Sequence, residues 1–324
     1  MKQKASLLII SILMSLLLLL VGCSQQIPGN NGAGPSAPVA EETPSPAAPT
    51  PEPTMEPTPV PTEIAAQPDA NTPVLIQGLL VGGLNKGEWM NYDDFYTAGI
   101  VGFDGFVYDV YVDDELTGQA EGELPVSFLT GEPVEPDGDL NELVDVKLYD
   151  ENEEQVVYDM AIRADWDLFP RGYESQDTGQ PEYQVLAEEM IAAKGVENPA
   201  TELKQIVSVD LDGDGTDEVL LAADNTVDGQ FEQVGKGDNA VLIFRKMVGG
   251  QPVDQLVDSY ILTEDLDYVS IYQVLYEVMT CADLDGDGTL EVVVKSWYYE
   301  GVTYSIYTLE GNHLALVSSN GVGF

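Results

Sequence analysis

Two short segments of the sequence place carboxylates at alternate positions of a glycine-containing loop. They read DLDGDGTDE at residues 210–218 and DLDGDGTLE at residues 283–291, and they differ only at Asp217 and Leu290. Carboxylates at alternate positions can converge on one point, and calcium takes six to eight oxygen ligands at about 2.3–2.6 Å. The sixth residue is glycine in both segments, which permits a sharp turn without a Cβ clash. The pattern predicts two calcium loops, and the alternative is an acidic turn without metal.

The residues that follow each segment distinguish between kinds of calcium loop. An EF-hand needs a bidentate Glu at position 12 and a helix on each side. Position 12 is Leu221 in the first copy and Val294 in the second, and both lie in apolar, strand-like runs. The EF-hand is therefore excluded. The segments resemble the integrin-type FG-GAP or VCBS calcium loops, which join two strands of a β-sheet.

This resemblance implies a set of calcium ligands in each loop. Carried over by position, the ligands are the side chains of Asp210, Asp212, Asp214 and Glu218 with the carbonyl of Thr216, and the side chains of Asp283, Asp285, Asp287 and Glu291 with the carbonyl of Thr289. The family more often has Asp at the ninth position, so the longer Glu here implies a looser geometry. Two copies are too few for a complete propeller, so only the loop is carried over.

The elements that position these loops are predicted to be mainly strands. Runs rich in Val, Ile, Leu and Tyr, one of them over residues 74–81, predict a small antiparallel β domain at 74–175. A second, β-rich domain at 176–324 holds both loops and one helix at 181–195, with Pro181 in its first turn and Gly195 at its end. The expected fold class is therefore mainly β with minor helix (α+β).

The amino terminus carries the features of an export signal. Lys2 and Lys4 precede an apolar run over residues 7–21, which is shorter than the ~20 residues of a spanning helix. Residues 1–22 are therefore predicted to be a signal peptide. The following Leu-Val-Gly-Cys at 20–23 resembles the lipobox of bacterial lipoproteins, which implies that Cys23 is lipidated, with acyl chains such as palmitate. The alternative is an uncleaved anchor in which Cys23 is incidental.

Residues 23–73 contain most of the chain's 20 prolines, mixed with Thr, Ala and Glu. This composition predicts a disordered, extended linker that lifts the folded part away from the membrane. The alternative is a proline-rich ligand for another domain. Ser24 follows the lipobox in place of the Asp of an inner-membrane retention signal. We therefore expect an extracytoplasmic, lipid-anchored protein, with a Gram-positive host favoured, or the outer membrane in a Gram-negative one.

The charge balance limits the possible partners. The chain has 57 Asp and Glu against 12 Lys and Arg, for a formal net charge of −45. Such a surface repels phosphate backbones, so nucleic acid is not an expected partner. The chain has two cysteines, and lipidation of Cys23 leaves Cys281 without a disulfide partner.

Residues suited to catalysis are few. The one histidine, His313, is interpreted as a surface or turn residue, and Cys281 as a small buried thiol. We therefore expect a non-catalytic envelope protein that binds an unknown protein or glycan ligand. The alternative is a secreted polysaccharide- or peptidoglycan-acting hydrolase, or its accessory module. Only the many carboxylates and the aromatic residues favour this alternative.

Overall fold

The computed structural model describes residues 72–97, 106–122, 126–127, 144–145, 147–150, 152, 154–226, 235–265 and 273–323. The predicted signal peptide, Cys23 and all but the last two residues of the predicted linker lie outside these ranges. The first strand begins at Thr72. No helix among the described residues is long and apolar enough to cross a membrane.

The first sheet contains the strands from the amino-terminal part of the described chain. These are β1 (Thr72–Ile76), β2 (Leu79–Asn85), β3 (Glu88–Asn91), β4 (Val107–Val112), β5 (Glu115–Gly122), β6 (Val126–Ser127), β7 (Val144–Asp145), β8 (Leu148–Tyr149) and β9 (Met160–Ile162). Their order is β6-β7-β2-β1-β9-β4-β5-β8, with β3 beside β2, and all pairs are antiparallel. The short helix α1 (Tyr92–Thr97) follows β3, and the Asn91 side chain caps it by accepting a hydrogen bond from Asp94 N at 2.9 Å.

Two further antiparallel sheets follow. The second sheet contains β10 (Tyr173–Ser175), β11 (Glu202–Val209), β12 (Glu218–Asp224), β13 (Asn239–Val248) and β14 (Gln251–Ile261), in chain order. Helix α2 (Pro181–Ala193) lies between β10 and β11 in the chain. The third sheet contains β15 (Leu275–Ala282), β16 (Glu291–Tyr298), β17 (Gly301–Glu310) and β18 (His313–Gly323), also in chain order.

The third sheet lies between the other two, and this position explains the continuous apolar run at the start of β16. Val292 and Val294 pack with Leu220 and other residues of the second sheet. Val293, which points to the opposite face, packs with Ile76 and other residues of the first sheet. Because successive side chains of a strand point to opposite faces, a strand buried on both faces has apolar residues at consecutive positions.

The helices cover the two outer sheet faces. Leu186, Ala187 and Ile191 of α2 pack on the face of the second sheet that contains Leu221 and Ile243. Phe95 of α1 packs with Leu75 and Leu80 on the outer face of the first sheet. The described residues therefore form layers in the order helix, sheet, sheet, sheet, helix.

The expected fold class is confirmed, since 56% of the structure is strand and 8% is helix. The predicted helix is found as α2, and it begins at Pro181 as expected. The single strand predicted over 74–81 is wrong, because the chain turns at Gln77 and Gly78 to form the β1–β2 hairpin. Both turn residues have positive φ, 47° and 93°, as a two-residue hairpin turn requires.

Candidate metal centre

The two acidic segments are equivalent loops in two different sheets. The first joins β11 to β12, the second and third strands of the five-stranded second sheet, and the second joins β15 to β16, the first two strands of the four-stranded third sheet. The sixth residues, Gly215 and Gly288, have φ of 83° and 87°. A residue with a Cβ is strained in this conformation, so the glycines are needed for the turn.

Three hydrogen bonds to the carboxylates occur in both loops, and one more, from Gly286 N to Asp283 at 2.8 Å, is found in the second loop. The first Asp accepts a hydrogen bond from the sixth residue, at 3.1 Å for Gly215 N to Asp210 and 3.1 Å for Gly288 N to Asp283. The seventh residue donates to the fifth, at 2.8 Å for Thr216 N to Asp214 and 2.7 Å for Thr289 N to Asp287. The ninth Glu accepts from the second residue, at 2.9 Å for Leu211 N to Glu218 and 2.8 Å for Leu284 N to Glu291.

The structure brings together most, though not all, of the predicted ligands. Among the described residues two groups place carboxylate oxygens within 4.8 Å of one another and can hold a metal ion: Asp210, Asp212 and Glu218 in the first loop, and Asp283, Asp285 and Asp287 in the second. Asp214 is not part of the first group, and Glu291 is not part of the second. Thr216 and Thr289 lie next to these groups and contribute their backbone N–H to Asp214 and Asp287.

The carboxylates of the second loop differ in burial: Asp283 and Glu291 are buried, Asp285 is half-buried and Asp287 is exposed. Burial raises the pKa of Asp285 to about 6, with the charge of Asp287 adding to the effect. Glu291 is completely buried, and burial, followed by the charge of Asp285, raises its pKa well above its ordinary range. Its oxygens accept hydrogen bonds from Leu284 N and, at 3.1 Å, from the hydroxyl of Thr308. A dication among these groups would reduce the repulsion, and the group of Asp283, Asp285 and Asp287 could hold a metal ion.

Two tryptophans hold the second loop from outside it. Trp89 Nε1, on β3, donates to Asp285 Oδ2 at 3.2 Å, and Trp166 Nε1 donates to the carbonyl of Asp283 at 2.7 Å. A Cβ on Gly286 would lie 3.1 Å from the Trp166 ring, so the glycine allows this close packing. Neither contact was predicted from the sequence. The need of a partly buried indole N–H for an acceptor is the signal that points to such a contact.

A lysine ammonium lies among the carboxylates of the first loop. Lys246 Nζ, on β13, donates to Asp212 Oδ2 at 2.8 Å and to Glu218 Oε1 at 2.5 Å. The Lys246 side chain is 7% exposed and that of Glu218 1%. Burial opposes the charge of the ammonium, but the bonds to Asp212 and Glu218 outweigh it and raise the pKa of Lys246. Burial raises the pKa of Glu218, and Lys246 opposes this effect.

Arg171, from the segment between β9 and β10, joins the two loops. Its guanidinium donates to three backbone carbonyls, those of Asp210 at 2.7 Å, Leu211 at 2.9 Å and Gly288 at 2.6 Å. The loops also contact each other directly, through the hydrogen bond from Leu290 N to the carbonyl of Leu211 at 2.8 Å. The two loops therefore form one unit, with Arg171 between them.

The two residues considered for catalysis differ in exposure. His313 is exposed at the start of β18. Cys281 is completely buried between the second and third sheets, and burial raises the pKa of its thiol. Its environment favours a core thiol over a nucleophile.

A concave surface, here called the acidic cleft, lies between the first and third sheets. Its volume is about 380 Å³, and its described lining includes the carboxylates of Asp113, Asp114, Asp159 and Glu277 together with one cation, Lys295. Tyr173 OH donates to Asp114 Oδ2 at 2.6 Å. Asp159 accepts from the backbone N–H of Asp113 at 3.0 Å. The cleft is therefore a second place where carboxylates gather.

Comparison with known proteins gives no relative. No family model, no curated protein and no solved structure matches this chain.

Proposed function

We propose that this chain is an exported lipoprotein, anchored to a membrane through Cys23, whose β-rich region is stabilised by calcium. Its role is non-catalytic binding or scaffolding at the cell envelope, with a protein or glycan as ligand. The observation that supports the calcium part is the convergence of Asp283, Asp285 and Asp287 next to the completely buried Glu291.

The physical reason is the cost of burying like charges. Several carboxylates held this close repel one another, and burial adds a further cost to the ionised forms of Asp283, Asp285 and Glu291. Protonation would relieve this cost only in acid, whereas a dication relieves it at neutral pH. Extracellular calcium is roughly millimolar, which suits weak extracellular sites with Kd of about 10⁻⁴–10⁻³ M.

Thermal unfolding of residues 24–324, which include every described residue, tests the calcium proposal. With about 2 mM calcium and a Kd in that range, mass action stabilises the fold by roughly 0.6–1.8 kcal/mol. The melting temperature should then rise by roughly 1–7 °C compared with the protein in excess chelator. Asp285→Asn is the matched control and should abolish the rise. An unchanged melting temperature in the wild-type protein would remove the calcium proposal.

Metabolic labelling tests the anchor. The full-length chain, expressed in a bacterium with a clickable fatty acid, should carry the label and sediment with membranes. Cys23→Ala should lose the label, whereas Cys281→Ala should keep it. Equal labelling of the wild type and Cys23→Ala would contradict the lipidation of Cys23.

A second candidate function is a hydrolase, or an accessory module, that acts on polysaccharide or peptidoglycan. The acidic cleft is the observation that favours it, because paired carboxylates perform glycoside hydrolysis. A screen on envelope polysaccharides should compare the wild-type protein with Asp114→Asn and Asp159→Asn, and with Asp254→Asn as a control outside the cleft. If the wild-type protein and Asp254→Asn hydrolyse a polysaccharide and the two cleft variants do not, the hydrolase function is supported and the non-catalytic proposal is wrong.

A further inference from the structure

The two loops differ in what lies next to the ninth-position Glu. Their sequences differ at a single position, Asp217 against Leu290, and three hydrogen bonds, to the first, fifth and ninth carboxylates, occur in both loops. They differ at the first Asp, because Asp283 also accepts a hydrogen bond from Gly286 N at 2.8 Å, whereas Asp210 Oδ1 is buried and has no hydrogen-bond partner among the described residues. The larger difference in charge between the two loops comes from the neighbouring strands.

The strand register identifies the residues to compare. Val219 pairs with Arg245 across β12 and β13, so Glu218 lies next to Lys246. Val292 pairs with Tyr307 across β16 and β17, so Glu291 lies next to Thr308. Lys246 and Thr308 therefore occupy equivalent positions, and each donates a hydrogen bond to the Oε1 atom of its neighbouring Glu.

The charge at this position is the difference. The Lys246 ammonium contacts two of the three carboxylates that converge in the first loop, Asp212 and Glu218. A dication bound to the same oxygens would lie within a few ångströms of the buried ammonium, and the two would repel each other. In the second loop the hydroxyl of Thr308 is neutral and adds no positive charge. Arg171 does act on this loop, because its charge opposes the rise in the pKa of Asp283 that burial causes.

Arg171 does not cause the difference in charge beside Glu218 and Glu291. Its three hydrogen bonds go to backbone carbonyls of both loops, and it lies between them. The Arg171 charge therefore lies near both loops, whereas the Lys246 ammonium contacts carboxylates of the first loop.

We propose that the Lys246 ammonium occupies the cation position of the first loop, so that the chain binds one calcium ion, in the loop at 283–291, and not two. This inference depends on the proposed calcium function and narrows it to one loop. The first loop then keeps its shape without calcium. Through Arg171 and the Leu290–Leu211 hydrogen bond, it provides a fixed surface against which the second loop is ordered by the metal.

Calcium binding to residues 24–324, measured by equilibrium dialysis with metal quantification, tests the stoichiometry. The wild-type protein should bind one calcium ion. Asp285→Asn should bind none, and Asp212→Asn, in the first loop, should still bind one. Two ions in the wild type would overturn the inference and leave the calcium function standing. No bound ion in the wild type would remove the calcium function itself, so the two failures are distinguishable.

A reciprocal exchange tests the role of Lys246 directly. Lys246→Thr places a threonine beside Glu218, as Thr308 lies beside Glu291, and should raise the number of bound calcium ions from one to two. Thr308→Lys does the opposite and should lower it from one to none. Lys246→Arg keeps the positive charge, and this variant should still bind one calcium ion. Circular dichroism in calcium checks that each variant is folded, and a folded Lys246→Thr protein that binds one ion would overturn the inference.

Terbium luminescence gives a second readout that identifies the loop. The Trp166 ring packs against Gly286, so a terbium ion in the second loop should be sensitised by tryptophan excitation. Calcium should displace this signal in the wild type and in Asp212→Asn, and Asp285→Asn should lack the signal. A signal that survives Asp285→Asn but disappears in Asp212→Asn would assign the ion to the first loop and overturn the inference.

Discussion

The backbone N–H of Leu290 donates a hydrogen bond to the carbonyl oxygen of Leu211 at 2.8 Å, although the two residues belong to different sheets. Both side chains are completely buried and belong to the core between the second and third sheets. The two acidic loops therefore share a backbone contact and a hydrophobic core. A change in the order of one loop should reach the other through this contact.

Glu291→Gln should have opposite effects with and without calcium. The substitution removes a completely buried charge while the amide can still accept from Leu284 N, so the calcium-free protein should gain about 1–3 kcal/mol of unfolding free energy. The same substitution should reduce the stabilisation by calcium. Urea unfolding in chelator and in calcium measures both effects.

Glu218→Gln is the matched control for that experiment. Here the carboxylate accepts from the buried Lys246 ammonium, so its loss leaves that ammonium with Asp212 alone. The protein should lose about 1–3 kcal/mol in chelator as well as in calcium. Equal effects of the two substitutions in chelator would contradict the difference between the loops.

Arg171→Met should destabilise the fold strongly. It removes three hydrogen bonds to carbonyls of the two loops, those of Asp210, Leu211 and Gly288. We expect a loss of about 2–4 kcal/mol in urea unfolding, because three charge-assisted hydrogen bonds are lost. The partly buried carbonyls of Asp210 and Gly288 lose this donor, whereas that of Leu211 keeps its bond from Leu290 N. Arg163→Met is the control, since Arg163 is exposed and lies over the Phe106 ring at 5.9 Å. It should cost about 1 kcal/mol or less, and a similar loss in both variants would argue against a bridging role.

Trp89→Phe should weaken calcium binding without removing a ligand. The indole N–H orients Asp285 from outside the loop, at 3.2 Å from Oδ2. Loss of such a supporting hydrogen bond typically lowers metal affinity by about 10–100-fold. The Kd for calcium, measured by terbium displacement, should rise accordingly. Trp297→Phe, whose ring contacts Lys295, should leave the Kd unchanged.

The calcium-free protein should show a pH dependence that depends on Asp285. Burial raises the pKa of this carboxyl from 3.8 to about 6. Between these two pH values the folded state therefore binds more protons than the unfolded state. The contribution of the Asp285 carboxyl to stability is present below pH 3.8 and is lost as the pH rises through about 6. The melting temperature in chelator, measured across this window, should fall less steeply with rising pH in Asp285→Asn than in the wild type. Parallel curves would contradict the raised pKa.

The sequence predicted the parts of the molecule that depend on local patterns. The repeated segments at 210–218 and 283–291 contain glycine at fixed positions and are flanked by apolar runs. This pattern predicted loops between strands, and the loops are found there. Pro181 marked the start of α2, because proline is favoured in the first turn of a helix. Strand β14 was missed, because it is a partly exposed strand whose apolar residues are interrupted by Asp254, Gln255 and Asp258.

Only the tertiary structure decided which side chains surround each loop. Lys246 reaches Glu218 through the register of β12 and β13, and Trp89 reaches Asp285 across 196 residues of sequence. Neither contact leaves a periodic signal, because strand register and sheet stacking are set by the packing of the whole core. The sequence determined that acidic loops exist and where they begin. The packing of three sheets determined that one of them contacts a buried ammonium and the other a neutral hydroxyl.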